Sequence, residues 1–161
     1  WFVSGGMPKI YSYINNLREN WEVRQLQAQW EKPYRDDTYG GKTPEETYDM
    51  FLDALRKGDT ELASKYFVVD DQEKWAKTLS KFKEGKSLEA FTKERENIKN
   101  QWEKIETGDS DTVGFRYSFI IQKNTLSEFN GQKITIPAGN YTNETTLELN
   151  KYTKIWKISS L

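Results

Sequence analysis

The sequence predicts an α+β fold, with helices first and an antiparallel sheet after them, preceded by an extra amphipathic helix. Three observations carry this. From Thr43 to about Trp102, apolar residues recur at spacings of three and four, the period of helices with one buried face. From Val113 the period becomes two, which is that of a strand. Between an earlier periodic stretch and Thr43 runs Pro33-Tyr34-Arg35-Asp36-Asp37-Thr38-Tyr39-Gly40-Gly41-Lys42, whose proline, paired acids and paired glycines read as a linker. The chain is therefore divided into residues 1–42, a membrane-proximal stub with a helix and linker, and residues 43–161, the α+β domain.

Trp1-Phe2-Val3 before Ser4-Gly5-Gly6 reads as the aromatic end of a membrane helix followed by a flexible break, or as an arbitrary boundary. Pro8 suits the first turn of a helix, where its missing N–H is no loss. Ile10, Ile14, Leu17, Trp21, Arg24 and Ala28 then recur at four and three, a heptad-like seam broken by Arg24. Val23, Leu26 and Trp30 make a second stripe. The helix is expected to end near Glu31, because Pro33 disfavours helical geometry at Lys32. The seam residues Ile10, Ile14, Leu17 and Trp21 are the candidate docking face, for a protein partner, for a second copy or for the chain's own domain.

Thr43-Pro44-Glu45-Glu46 is a helix start, with Thr43 as cap, Pro44 at the first helical position and Glu46 closing a capping box. Tyr48, Phe51, Leu52 and Leu55 form its apolar face, and Gly58 stops it. Asp59-Thr60 starts a second helix, burying Leu62, Ala63, Tyr66 and Phe67. Asp70 or Asp71 caps a third, with Trp75, Leu79 and Phe82 on one face and Gly85 at its end. Ser87 caps the last, along which Leu88, Phe91, Ile98 and Trp102 recur. In the second half, Val113, Phe115, Tyr117, Phe119 and Ile121 alternate with Gly114, Arg116, Ser118 and Gln122. Asn130-Gly131 signals a hairpin, although the run before it is polar for a strand. Ile134 and Ile136, then Thr145, Leu147 and Leu149, then Trp156 and Ile158 mark further strands. Short turns between them imply antiparallel pairing, with one face covered and one wet.

Composition limits the chemistry. The 161 residues carry 24 basic and 25 acidic side chains, mixed along the chain, so no basic block exists to neutralise a nucleic-acid backbone. Cysteine and histidine are both absent, which removes thiol chemistry, the commonest metal ligands and the commonest general base near neutral pH. No cofactor, metal or catalytic residue is expected. The 6 Trp, 9 Tyr and 8 Phe supply large buried area, either as core or as the lining of a pocket.

The capped helix with Tyr48, Phe51, Leu52 and Leu55, the Lys57-Gly58-Asp59 break, the short helix to Tyr66-Phe67 and the meander ending in Lys154-Ile155-Trp156-Lys157-Ile158 resemble the nuclear transport factor 2-like superfamily. The likeness covers roughly residues 43–161 and is nearest to small bacterial exported or lipid-anchored members of unassigned role. It implies a curved sheet wrapped round the helices, a cone of the kind also used by ketosteroid isomerases. It also implies that Tyr66, Trp75, Phe115, Tyr117, Phe119 and Trp156 line or fill the interior of that cone.

The leading functional expectation is a non-catalytic extracytoplasmic interaction or structural domain, at the cell surface, in the periplasm or secreted, tethered through the segment before Gly5. An alternative is a carrier or sensor of a small apolar ligand held in the aromatic cone. A third is an isomerase or dehydratase recruiting Asp53, Tyr48 or Tyr117, although no spacing singles these out. Asn140-Tyr141-Thr142 and Asn143-Glu144-Thr145 match the N-glycosylation pattern and read as turn chemistry. Asp109 and Asp111 around Ser110 read as a hairpin turn in preference to a calcium loop.

Overall fold

A computed structural model describes the backbone of residues 7–129 and 131–161, and the side chains of 15–127 and 131–161. The chain divides into two compact units, 1–37 and 38–161. The expectations for Trp1 to Gly6 and for the side chains of Ile10 and Ile14 lie outside the described residues.

The first unit is one helix, α1 (Met7–Arg35). It does not end at Glu31 as Pro33 suggested. The proline falls in the last turns, so only a single backbone bond is lost there. Asp36 N still donates to Lys32 O at 2.9 Å, and Arg35 pairs with Glu31 at 2.7 Å across the proline. The two apolar stripes do not merge into one face. At 3.6 residues per turn, Val23, Leu26 and Trp30 stand about 190° round the helix from Leu17, Trp21 and Ala28. Both stripes are exposed, Leu17 at 52%, Trp21 at 61% and Trp30 at 75%.

The second unit begins with α2 (Pro44–Arg56), whose start is fixed locally. Glu46 N donates to Thr43 Oγ1 at 3.1 Å. The Glu46 carboxylate reaches one residue past the usual capping-box partner and accepts from Lys42 N at 2.7 Å. Tyr48, Phe51, Leu52 and Leu55 are all buried. Gly58 ends the helix with φ +69°, a left-handed conformation that glycine adopts without strain. Asp59 caps α3 (Thr60–Lys65), accepting from Leu62 N at 2.9 Å. A single 3-10 turn, Val69–Asp71, leads into α4 (Gln72–Glu84). Neither Asp71 nor Ser87 supplies a side-chain cap. The Ser87 hydroxyl instead donates back to Phe82 O at 3.2 Å. α5 runs Leu88–Lys99, so Trp102 lies beyond it in a turn.

The strands are β1 (Glu103–Ile105), β2 (Thr112–Ile121), β3 (Thr125–Phe129), β4 (Gln132–Ile136), β5 (Gly139–Leu149) and β6 (Trp156–Ser160). The main sheet is antiparallel, ordered β1-β2-β5-β6, and the helices pack on one face of it as in a cone-like α+β fold. β3 and β4 form a separate two-stranded hairpin. The polar run before Asn130 is therefore a strand, held by pairing with β4. Asn140 and Asn143 are not turn residues, since both lie within β5 opposite Ile120 and Tyr117. The Asp109 carboxylate does close a turn, accepting from Asp111 N at 3.0 Å.

The core joins Tyr48, Phe51, Leu52, Phe67, Leu79, Phe115, Leu147 and Ile158. Phe67 stacks on Trp75 with centroids 4.3 Å apart, and Trp102 stacks on Phe115 at 4.0 Å. β6 closes the core against the start of the unit. Trp156 N donates to Gly41 O at 2.9 Å, and the buried Thr47 hydroxyl accepts from Gly41 N at 2.8 Å and donates to Trp156 O at 3.0 Å. Ile158 bridges Phe67 in parallel. The opposite face of β6 is not wet. Lys157 is only 2% exposed, and its ammonium donates to Tyr39 O at 2.5 Å and Lys65 O at 2.6 Å.

Candidate functional site

β2 outruns the helices that cover it. Val113, Phe115 and Tyr117 are buried, but Phe119 continues the same face and is 39% exposed. Between this uncovered end and the outer turns of α5 opens a cleft of about 730 Å³. α5 contributes Glu94, Arg95 and Ile98, the turn after it Gln101, and the sheet Tyr117, Phe119 and Asn143.

Arg95 is the unusual member of this wall. Its side chain is 11% exposed, and its Nε is buried without a hydrogen-bond partner among the described residues. One Nη2 bond goes to Glu94 Oε1 at 3.0 Å, and the guanidinium lies 5.2 Å from the centre of the Phe91 ring. This cation–π contact leaves most of the five N–H groups of the fork unengaged. On the sheet side, Asn143 Nδ2 donates to the Tyr117 hydroxyl at 3.2 Å. Tyr117 and Asn143 are directly paired across β2 and β5. The tyrosine keeps its own hydrogen for an acceptor.

Elsewhere in the core, Tyr48 Oη, Trp102 Nε1 and Thr145 Oγ1 are also buried without partners among the described residues. They are contiguous. Tyr48 and Trp102 rings are 4.5 Å apart, Trp102 stacks on Phe115, and Phe115 is paired with Thr145. Burial pushes the Tyr48 phenol well above its ordinary value, opposed by the Arg95 charge and reinforced by Tyr117 and Glu94. Tyr48 therefore stays a neutral hydroxyl. Buried polar groups left unbonded are uncommon in folded proteins.

The six aromatic positions expected to line the cone are dispersed. Tyr117 and Phe119 line this cleft. Trp156 lines a second, of about 590 Å³, with Pro44, Thr107 and Val113. Tyr66 is buried in the core, Phe115 is covered by Trp102, and Trp75 packs flat on Phe67. Of the acids and phenols weighed for catalysis, Asp53 is solvent-facing and pairs with Arg56 at 2.5 Å, while Tyr48 and Tyr117 adjoin the cleft. Among the described residues, no group of His, Cys, Asp or Glu could hold a metal ion, and no helix is long and apolar enough to cross a membrane.

Arg95 and Asn143 were missed as site residues by sequence reasoning. One signal for Arg95 was present. Leu88, Phe91, Ile98 and Trp102 leave a gap in the apolar stripe, and position 95 fills it at the right spacing, so a charge stands where the helix faces inward. Comparison with protein-family models, with curated proteins and with solved structures returns no match.

Proposed function

We propose that residues 38–161 form a non-catalytic small-ligand-binding domain of the carrier or sensor type, with the cleft between α5 and the β2–β5 end of the sheet as its site. The observation that carries this is Arg95, a cation nearly removed from solvent that lines the cleft with its Nε unbonded. The volume of about 730 Å³ is within the range of small-molecule sites. The helices packed on one face of a curved sheet are in keeping with the resemblance to the nuclear transport factor 2-like superfamily, whose sheet leaves a cone-shaped pocket. A fragment screen read by nuclear magnetic resonance tests the reading. Hits should move the Gln101 and Asn143 side-chain amide signals. A screen in which every hit maps elsewhere sinks it.

A second reading is favoured by a separate observation. Leu17, Trp21, Val23, Leu26 and Trp30 are all more than half exposed on α1. This supports α1 as a docking helix for a protein partner or a second copy, and the extracytoplasmic, membrane-tethered placement belongs to this reading. Sedimentation of the chain with and without residues 7–35 tests it. An unchanged assembly state together with unchanged partner binding removes it.

A further inference from the structure

We propose that the cleft selects a small organic monocarboxylate with an aromatic or apolar body, whose head group sits on Arg95 and the Tyr117–Asn143 pair. This rests on the small-ligand reading of the site and names the class of ligand.

The donor inventory decides the head group. Arg95, which lines the cleft, can only donate, and its Nε is buried without a partner among the described residues. Tyr117 already accepts from Asn143, so its remaining capacity is also to donate. A set dominated by donors around a fixed guanidinium is satisfied by an acceptor group of negative charge. A carboxylate matches the planar fork of arginine with two parallel bonds.

The charge count separates a carboxylate from a phosphate. The other cation at the cleft, Lys93, is solvent-facing and is paired with Glu89 at 2.7 Å. Glu94 already takes one bond of the Arg95 guanidinium. A single guanidinium shared with Glu94 has little charge to offer a ligand, so a monoanion is a less costly occupant than a dianion.

The body of the ligand follows from the remaining wall. Ile98 and Phe119 border the same cleft, and Phe119 stacks on Tyr141 with centroids 5.7 Å apart. Phe119 is thus a supported aromatic surface, exposed at the point where the sheet leaves its helical cover. A flat apolar group laid on it removes that exposed area from water.

The test compares naphthylacetate with naphthylacetamide, which share a body and differ in the head. Both are titrated into the full chain and followed at the Gln101 and Asn143 side-chain amides, which line the cleft. The acid should bind about tenfold or more tightly than the amide, and Arg95→Gln should erase that difference. Phe119→Ala, at a partly exposed position, should weaken both ligands alike. The wild-type comparison needs no variant, and Arg95→Lys keeps the charge should Arg95→Gln fail to fold. Equal binding of acid and amide overturns the carboxylate assignment and leaves the small-ligand reading standing. Signals that move for neither compound, or only outside the cleft, overturn both. Displacement of the acid by an equal concentration of inorganic phosphate overturns the assignment too, because the head group alone would then be what is recognised.

Discussion

Gly40 lies so close to Trp156 that a β-carbon built on it would stand 2.4 Å from the Trp156 carbonyl oxygen. The contact is between two backbones, and the same β-carbon would also meet the Ile155 side chain at 3.3 Å. The segment after α1 is thus laid against β6 with no room for a side chain, next to the Gly41–Trp156 hydrogen bond.

Gly40→Ala should therefore destabilise the unit 38–161 by about 3 kcal/mol, because main chain must shift to admit the methyl group. Gly139→Ala is the control. Its added carbon meets only Tyr141, at an ordinary 3.8 Å, so the change should stay within about 0.5 kcal/mol. Urea unfolding of the two variants checks the contrast, and equal losses would contradict it.

Lys157→Met should cost about 2–4 kcal/mol. The methionine fills similar space, but Tyr39 O and Lys65 O lose a charged donor in a site that is 2% exposed. Amide exchange should quicken at β6 and around Tyr66 together, since Ile158 N donates to Tyr66 O. A loss below about 0.5 kcal/mol would show the ammonium to be dispensable.

Tyr48→Phe tests the buried hydroxyl through pH. Burial, offset by Arg95, raises the folded-state pKa of Tyr48, while in the unfolded chain the phenol ionises near about 10. A raised folded value contributes stability that is complete below the unfolded pKa and is lost as pH rises beyond it. Tyr66 is raised as well, first by burial and then by Asp53, Asp59 and Tyr39. The wild type should lose stability above about pH 10, and Tyr48→Phe should lose less, with the remainder due to Tyr66. At neutral pH the variant should be as stable as the wild type or about 1 kcal/mol more so, because a buried donor without a partner has been removed. Thermal melts at the two pH values decide it.

Trp21→Ser combined with Trp30→Ser should change the unfolding midpoint of 38–161 by less than about 0.5 kcal/mol equivalent. Both rings are on α1 and are exposed at 61% and 75%. If α1 docks a partner, the same pair of changes should abolish that binding. A large loss of stability would instead mean that the helix is needed to hold the second unit together.

Much of the fold was legible because its determinants are local. The Thr43–Glu46 cap works through bonds three residues apart, and the stripe Tyr48, Phe51, Leu52 and Leu55 repeats with the turn of one helix. The alternation along β2 was also readable, but alternation reports only which side a residue is on. It could not show that helical cover stops before Phe119, which depends on where α5 lies. β3 was hard to read for a similar reason, since its polar residues are held by partners such as Ile134 opposite Ser127. For the site, Arg95 could have been found as a charge within an apolar stripe. Lys157 could not. Its place opposite Trp156 and Ile158 marks it as solvent-facing, and what covers it lies 92 and 118 residues away in the sequence.

That separation bears on the order in which the domain can be made. A ribosome delivers α2 and α3 long before β6, and contacts spanning most of the chain are slow to form because a large loop must close first. Until residues 156–158 emerge, Gly41, Tyr66 and Lys65 have no strand to bond, and Phe67 lacks its parallel neighbour. The edge of α2 and α3 that β6 covers is thus the last part of the core to be closed, although Tyr48 and Phe51 meet Trp102 and Phe67 earlier. Completion of one short strand closes it.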